Sequence, residues 1–298
     1  MSEKDIKTFL SKNKYPVEDA DCLCSAFSRL KMDGDAFERL SEKVEEYQSV
    51  YVLDSGTLLP LLKEVSERTG IHEYTVSLLF FILLMPHLRA LYRQKEIPSV
   101  FYKDFEKHLR ASVTECRRIS GICGIRNAWW YLDFYRLKLF SIGRLQYRWR
   151  RFKKTAEAGG LFLQEGTYYA DVHIPPGAPL TKTACALSYS RAADFFRSRF
   201  HADRIIFCCH SWLLSPDLKK ILPEDSNILR FSKDYTVWEM SDDSGDNAAA
   251  YIFHLEHMPD CPEELPEQTS LQRSVKKLLQ EGKSLRIAKG AMLWPANS

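Results

Sequence analysis

The sequence lacks the features that mark secreted, membrane-spanning and zinc-stabilised chains. No Cys-x-x-Cys occurs among its eight cysteines, so the spacing does not suit a structural zinc site. Residues 1–24 are polar and charged and contain no apolar core of a secretory signal. The longest apolar run, VSLLFFILLM at 76–85, has ten residues, whereas a membrane span needs about 20. We therefore expect a cytoplasmic protein with reduced thiols, no bound metal and no membrane partner.

A strong excess of one charge is also missing. The 298 residues include 42 Lys and Arg and 39 Asp and Glu, which gives a net charge of +3. This balance gives no reason to expect a nucleic acid as partner. One basic segment, GRLQYRWRRFKK at 143–154, interleaves six basic residues with aromatic ones. A charged sheet face or a protected sheet edge accounts for this segment better than a nucleic-acid site does.

The first part of the chain has helical periodicity. Up to about residue 135, apolar residues recur three and four positions apart, as they do on one face of a helix. The segment at 55–70 begins with Ser55 as a candidate N-cap and ends at Gly70, a residue type that favours the end of a helix. The apolar run at 76–85 predicts a buried helix that bends or breaks at Pro86. These patterns predict a helical N-terminal domain over residues 1–136.

Strand patterns alternate with helical ones from residue 137 onward. Predicted strands cover residues 139–152, 167–174, 204–211, 228–240, 249–255 and 287–294. Predicted helices cover residues 183–200, 216–222 and 270–281. The acidic cluster SDDSGD at 241–246 predicts a hairpin turn between two of the strands. The alternation predicts a mixed sheet layered by helices over 137–298, and hence an α+β chain of two domains.

A strand, a loop and a helix follow one another in HIPPGAPLT at 173–181. The first amides of a helix are unpaired, and with the helix dipole they form a natural anion site. The three prolines carry no N–H, so the available donors are Gly177, Ala178 and the amides from Leu180 onward. Thr181 can cap the helix or touch a ligand, and Lys182 adds positive charge. An ordinary strand-to-helix connection explains the same residues.

The stretch FCCHSWLL at 207–214 places cysteines, a histidine and a serine at the end of a predicted strand. Strand alternation puts Cys209 and His210 on opposite faces, so they cannot form a nucleophile and base pair. Cys208 shares a face with His210 but stands about 6–7 Å away along it. A cysteine hydrolase is therefore disfavoured, and His210 and Ser211 are left as candidates at the strand end.

A second histidine, His173, lies at the end of another predicted strand and shares a face with Asp171. Imidazole titrates near neutrality, so both His173 and His210 are candidates for a general base if the two strand ends meet in one crevice.

Several segments together resemble a bacterial group of acyl-CoA N-acyltransferases. They are SIGRLQYRW, HIPPGAPLT, SYSRAADFF, CHSWLLSPDLKKILPEDSNILRF and LPEQTSLQRSVKKLLQEG. Members of the group join a helical N-terminal domain to a C-terminal domain similar to the GCN5-related N-acetyltransferase (GNAT) fold. The resemblance covers most of the chain and is strongest from Phe140 to Gly282. It implies a mixed sheet that splays between two central parallel strands, with acyl-CoA in the opening.

The resemblance also implies where acetyl-CoA or another acyl-CoA binds. In the family, the loop and helix start after the fourth strand bind the pantetheine and the pyrophosphate. The corresponding segment of this chain runs from Ile174 to Ala184. The implied cofactor-binding residues are Ile174, Gly177, Ala178, Leu180, Thr181 and Lys182. The sequence departs from the family pattern here, because the phosphate loop Arg/Gln-x-x-Gly-x-Gly/Ala is absent and only one glycine is present. This departure shifts binding toward Thr181, Lys182 and the later helix amides.

The implied reaction is direct acyl transfer to the amine of a small-molecule or peptide acceptor. His173 or His210 takes a proton from the amine, and strand amides near His173 polarise the thioester carbonyl. Ser211 is the candidate proton donor to the leaving thiolate. The helical domain is expected to cover the acceptor side or to mediate assembly. The alternative from another class is a catalytically silent GNAT-like module that binds a ligand or a protein.

Overall fold

The computed structural model describes residues 3–241 and 246–294. The chain divides into two compact units, one ending at Phe140 and the other beginning at Ser141. The first unit contains the helices α1 (Glu3–Lys12), α2 (Val17–Met32), α3 (Gly34–Val50), α4 (Ser55–Thr69), α5 (Glu73–Gln94), α6 (Ser99–Ser120) and α7 (Ala128–Tyr135). The predicted helical character of this part of the chain is confirmed.

Aspartates cap two of these helices. The Asp33 carboxylate accepts a hydrogen bond from the Ala36 amide at the start of α3, at 3.1 Å. The Asp54 carboxylate accepts one from the Thr57 amide at the start of α4, at 2.9 Å. Asp54 therefore takes the capping position that was predicted for Ser55, which is the first residue of the helix. Gly70 ends α4 in the left-handed region, at φ +63°.

Helix α5 forms the core of the first unit. It is long and apolar enough to cross a membrane, with a mean hydropathy of 1.6, but 72% of that window is buried inside the protein. Of the bend or break predicted at Pro86, the break is wrong, because α5 continues to Gln94. The hydroxyls of Tyr102 and Tyr135 donate to the carbonyls of Met85 and Phe81, and these bonds tie the helix to its neighbours beside the proline.

The second unit is built around a mixed sheet. Its strands are β1 (Leu139–Ile142), β2 (Leu145–Arg151), β3 (Ala156–Ala158), β4 (Leu161–Leu163), β5 (Tyr168–His173), β6 (Ile205–Ser211), β7 (Thr236–Ser241) and β8 (Ile287–Trp294). Its helices are α8 (Lys182–Phe200), α9 (Asn227–Ser232), α10 (Asp246–Phe253) and α11 (Ser270–Gln280). Among the described residues, six strands form the sheet in the order β1-β2-β5-β6-β8-β7, and β3 and β4 form a separate hairpin.

The central pair β5 and β6 is parallel, whereas β2 with β5, β6 with β8 and β7 with β8 are antiparallel. This arrangement confirms the predicted mixed sheet with helices and the α+β class.

Several predicted strands have different boundaries or are helices. The single strand expected at 139–152 is two strands joined by a turn at Gly143, whose φ is +63°. The segment 228–240 begins with α9, because the Ser226 hydroxyl caps a helix that buries Leu229 and Phe231. The strand predicted at 249–255 is wrong, since these residues fall mostly in the alanine-rich α10.

The hairpin predicted at 241–246 has no second strand, because the residues that follow form α10. Residues 242–245 lie outside the described part of the chain. The β3–β4 hairpin was not predicted. It turns at Gly159 and Gly160, both of which have positive φ.

The two faces of the sheet differ in their cover. Helix α8 packs on one face, here called the helix-covered face, where the Tyr147 hydroxyl lies 2.7 Å from Ser188 Oγ. The rings of Tyr189 and Phe207 meet on the same face at 5.2 Å between centroids. On the opposite face, here called the polar face, Leu163 of the β3–β4 hairpin packs with Cys208 over part of the sheet. Elsewhere this face carries polar and charged side chains, among them Gln146, Arg148, Asp171 and Lys289.

An ion-pair network around the buried Asp217 carboxylate ties Arg286, the residue before β8, to the short 3-10 helix Pro216–Lys220. The Asp217 carboxylate accepts hydrogen bonds from Arg286 Nε at 3.0 Å and from Lys220 Nζ at 3.1 Å. The Arg286 bond, followed by the Lys220 bond, holds the pKa of Asp217 below its usual value, against the opposing effect of burial. The network therefore stabilises the folded state through an ionised carboxylate.

We expect Asp217→Asn to lower the free energy of unfolding by about 1–2 kcal/mol at pH 7, with Arg286 and Lys220 partly screened by solvent. Because the pKa of Asp217 is lower in the folded chain than in the unfolded one, its contribution is present above about pH 4. The contribution is lost as the pH falls through the folded-state pKa. Urea denaturation between pH 7 and pH 3 measures the difference, with exposed Asp203→Asn as the control. An equal loss in both variants would contradict this role for Asp217.

Candidate active site

The two central strands part near their carboxyl ends. The parallel register of β5 and β6 runs from Ala170 with Phe207 to Val172 with Cys209. Beyond that last pair β5 continues to His173 and β6 to Ser211, and β6 stays paired with β8 along its other edge over its whole length. The paired register therefore ends at Val172 and Cys209, and the opening that the resemblance implies would begin beyond this pair.

A line of polar side chains crosses the polar face at the level of this opening. Gln146 is paired with His173, and His210 with Lys289, which is paired in turn with Glu239. His173 and His210 lie one residue beyond the last pair of β5 and β6, on the same face, and the charge of His173 contributes to lowering the pKa of His210. The polar row, as we call these five residues, takes one residue from each of five strands. The structure thus brings together the two histidines that the sequence analysis selected.

His173 is supported from the same strand. Its Nε2 lies 3.1 Å from Oδ2 of Asp171, which is buried two residues earlier on β5. Arg150 Nε on the neighbouring strand β2 lies 3.1 Å from the same Oδ2. A histidine, a carboxylate and a guanidinium therefore form a connected group next to the opening.

The electrostatic surroundings favour a neutral His210. Desolvation of the ring lowers the pKa of His210, and the nearby ammonium of Lys289 lowers it further. Asp171 and Glu239 act in the opposite direction without reversing the shift. The Lys289 ammonium itself lies 2.6 Å from Oε1 of Glu239. An imidazole that is neutral at pH 7 can accept a proton, which suits a base or a proton relay.

Ser211 does not lie on the face of the two histidines. It follows the strand alternation onto the helix-covered face, and its Oγ accepts a hydrogen bond from the Leu213 amide at 3.1 Å. This bond caps the short 3-10 helix Trp212–Leu214. Ser211 therefore borders the opening from the side on which α8 packs.

The paired cysteines belong to the protein interior. Cys208 and Cys209 are buried, and burial raises the pKa of both thiols. The register confirms that Cys209 and His210 point to opposite faces. Cys209 has no histidine of its strand on its face, and Cys208 stands two residues from His210, so neither buried, protonated thiol is an activated nucleophile. Within the described residues, no cluster of three or more His, Cys, Asp or Glu side chains is arranged to hold a metal ion.

The predicted CoA-binding residues lie together on the connection between β5 and α8. The Thr181 hydroxyl caps α8 by accepting a hydrogen bond from the Ala184 amide at 3.3 Å. The helical hydrogen bonds begin with Cys185 to Thr181, so the amides of Lys182 and Thr183 precede them. The predicted set comprises Ile174, Gly177, Ala178, Leu180, Thr181 and Lys182.

The side chains of this connection have different roles. Gly177 takes a φ of +118°, which a residue with a side chain rarely adopts, and Leu180 is buried in the core. Arg144 Nη1 donates to the Pro175 carbonyl at 2.9 Å and anchors the loop to the β1–β2 turn. Leu180 can therefore contribute only its backbone to a ligand, whereas Lys182 is exposed.

Sequence reasoning missed Arg144, Arg150, Lys289 and Glu239 as parts of this site. Strand alternation in 143–154 predicts that Arg144, Arg148 and Arg150 share a face with Gln146. This is confirmed for Arg148 and Arg150, whereas Arg144 lies in the turn before β2. The alternation carried no information on which strand would lie beside β2, so the partner of Asp171 was not identifiable. The one available signal was the density of arginine in 144–151.

The fold and the site define the class of the protein. A mixed sheet that opens between two parallel strands, with a helix beginning at the opening, is the architecture of GNAT-like transferases. The family model described as "GNAT-like C-terminal domain" matches residues 139–292, and the one described as "N-acyltransferase N-terminal domain" matches residues 4–137. The chain belongs to this family of N-acyltransferases. A comparison with curated proteins gives no significant match.

Solved structures of acyltransferases are similar over almost the whole chain. An acyltransferase in complex with decanoyl-CoA has 26% sequence identity and a TM-score of 0.72, with 95% of this chain and 85% of that chain covered. A tryptophan-to-alanine acyltransferase mutant in complex with octanoyl-CoA has 22% identity and a TM-score of 0.74, covering 98% and 88%. An acyltransferase in complex with decanoyl-CoA and teicoplanin has 23% identity and a TM-score of 0.69, covering 96% and 86%.

Proposed function

We propose that this protein transfers an acyl group from an acyl-CoA to the amine of an acceptor. The observation that carries the proposal is the polar row at the opening between β5 and β6, with a helix N-terminus following β5. Family membership and the 26% identity to an acyltransferase in complex with decanoyl-CoA support it. The structures of lower identity support the fold.

The two substrates are proposed to reach the site from different sides of the sheet. We place the thioester in the opening, with the CoA pyrophosphate at the amides of Lys182 and Thr183. Those amides and the Lys182 ammonium supply the positive potential that a Gly-rich loop supplies in other GNAT-like proteins. The acceptor amine then approaches from the polar face, where the two histidines lie. Donor and acceptor meet between the strands.

The reaction needs no acyl-enzyme. The amine nitrogen attacks the thioester carbonyl carbon, and its proton passes to His173, for which His210 is the alternative base. A C–N bond forms, the C–S bond breaks, and its electron pair stays on sulfur. Ser211 gives a proton to the thiolate and regains one from water, while the base releases its proton to solvent. Backbone amides at the end of β5 stabilise the oxyanion.

The acceptor is proposed to be a small-molecule or peptide amine. A structural neighbour at 23% identity is in complex with teicoplanin, which supports an acceptor of this kind. The neighbours in complex with decanoyl-CoA and octanoyl-CoA support an acyl chain longer than acetyl. A cytoplasmic location is a prediction from the sequence alone.

Calorimetry and a thiol-release assay test the proposal together. We expect micromolar binding of decanoyl-CoA or acetyl-CoA, and amine-dependent release of CoA thiol with a panel of peptide and small-molecule amines. Lys182→Gln should weaken binding several-fold, whereas exposed Lys219→Gln should not change it. No binding of either thioester at high micromolar concentration would refute the proposal. Tight binding without turnover across the panel would favour the silent binding module.

A further inference from the structure

We propose that Arg144 supplies a positive charge that attracts the phosphates of CoA to the connection between β5 and α8. The inference rests on the proposed function and deepens it, because it names a residue that replaces part of the missing glycine-rich loop. Three residues of this connection, Pro175, Pro176 and Pro179, have no N–H to offer a phosphate. A charged side chain next to the connection is the natural replacement for the lost amides.

Arg144 lies between the beginning of this connection and the first turns of α8. It follows Gly143 in the turn between β1 and β2, and its Nη1 donates to the Pro175 carbonyl at 2.9 Å. The same turn is joined to α8, because the Ser188 hydroxyl donates to the Ile142 carbonyl. A Cβ on Gly143 would lie 3.4 Å from Ser188 Cα, so the turn and the helix are in close contact. These contacts hold Arg144 near the start of α8.

The guanidinium of Arg144 has no carboxylate partner within the part of the chain that the structure describes. Arg144 is half-buried, and its Nε makes no hydrogen bond. Burial lowers the pKa of Arg144, and the one titratable neighbour that acts against this effect is the Cys185 thiol in the first turn of α8. Burial raises the pKa of that thiol to about 11, so the thiol is neutral at pH 7.

The charge of Arg144 is therefore uncompensated. Arginine stays protonated in proteins, and a partly buried cation without a counter-charge is costly. An anion bound nearby offsets that cost. The attraction falls off only with the inverse of the distance and is weakly screened in a partly buried place, so the guanidinium need not touch the phosphate oxygens.

Lys182, the other cation at the start of α8, has an acidic neighbour. Burial raises the pKa of Asp234, and the Lys182 ammonium acts in the opposite direction, so these two charges are close together. Asp234 is not among the groups that shift the pKa of Arg144. A carboxylate thus offsets the charge of Lys182 in part, whereas the charge of Arg144 adds undiminished to the positive end of the helix dipole.

Calorimetry with decanoyl-CoA and with S-decanoyl-pantetheine, which lacks the phosphates, tests the inference. We expect Arg144→Gln to raise the Kd for decanoyl-CoA by about tenfold and to change the Kd for decanoyl-pantetheine by less than about twofold. The tenfold difference should shrink as the salt concentration rises from about 0.05 M to about 0.5 M. Exposed Arg204→Gln, at the start of β6, is the matched control and should alter neither Kd.

Arg144→Lys separates the charge from the hydrogen bond to Pro175, and it keeps the inference testable if Arg144→Gln does not fold. Lysine retains the charge, so the Kd for decanoyl-CoA should rise less than about threefold. A structural role predicts the opposite order, because the glutamine amide can still donate to the Pro175 carbonyl.

Two results would overturn the inference and leave the proposed function standing. One is an equal loss of affinity for both thioesters, and the other is a larger loss for decanoyl-CoA in Arg144→Lys than in Arg144→Gln. If the wild-type protein binds decanoyl-pantetheine as tightly as decanoyl-CoA, the inference is also wrong. Failure of the wild-type protein to bind either thioester would refute the proposed function and this inference together.

Discussion

Replacing His173 with glutamine should lower kcat by about 10² to 10⁴-fold while the affinity for acyl-CoA changes less than about threefold. Glutamine is close to histidine in size and keeps a polar group at the opening, but its amide cannot take a proton at neutral pH. The amine would then attack without a base. Because the proposed CoA contacts lie on the β5–α8 connection, thioester binding should survive the change.

Steady-state thiol release and calorimetry on the same preparations separate the two effects. Exposed His257→Gln is the matched control, and it should retain wild-type kcat. His210→Gln should lower kcat by about tenfold if His210 relays the proton to solvent. A large loss in His210→Gln together with full activity in His173→Gln would reverse the assignment of the base.

The second large effect is on folding, and it concerns Gly124 in the loop between α6 and α7. A Cβ at this position would lie 2.4 Å from the backbone carbonyl carbon of Tyr74 and 2.5 Å from its oxygen. Relief of that overlap requires the loop to move away from α5. Two hydrogen bonds join the loop to the start of α5 here. The Ile125 amide donates to the Tyr74 carbonyl at 3.1 Å, and the Thr75 hydroxyl donates to the Cys123 carbonyl at 2.7 Å.

We expect Gly124→Ala to lower the free energy of unfolding by about 2–3 kcal/mol, from overpacking and the weakened bonds. Urea denaturation followed by circular dichroism measures the change. Gly34→Ala is the control, since no atom outside its own helix lies within 4 Å of the added Cβ at the start of α3, and stability should change by less than about 0.5 kcal/mol. Equal stability of the two variants would contradict the prediction, because it would show that the loop can move away from α5 without a measurable loss of stability.

Local periodicity predicted a large part of the fold. The helical spacing of the first unit, the ends of β5 and β6 and the N-cap of α8 at Thr181 all follow from neighbours within about four residues. The same local rule separated Cys209 from His210, because successive side chains of any strand point to opposite faces. These features need no knowledge of the rest of the chain.

Segments with conflicting local signals were predicted less well. Residues 228–240 contain β-branched and aromatic residues that favour a strand, but a Ser226 cap and the burial of Leu229 and Phe231 stabilise a helix there. Pro86 removes one hydrogen bond from α5, yet tertiary packing around the buried helix outweighs that loss. Propensity differences of this kind amount to about 1 kcal/mol per residue for ordinary positions, so tertiary contacts decide them.

The sequence by itself determined the class of the sheet and the strand ends on which the two candidate histidines lie. The family resemblance, also a property of the sequence, indicated the reaction. The tertiary structure decided which side chains surround those histidines. Arg150 reaches Asp171 only because β2 pairs with β5, and Lys289 reaches the polar row only because β8 pairs with β6. Strand order arises from contacts between residues far apart in the chain, and no local periodicity encodes it.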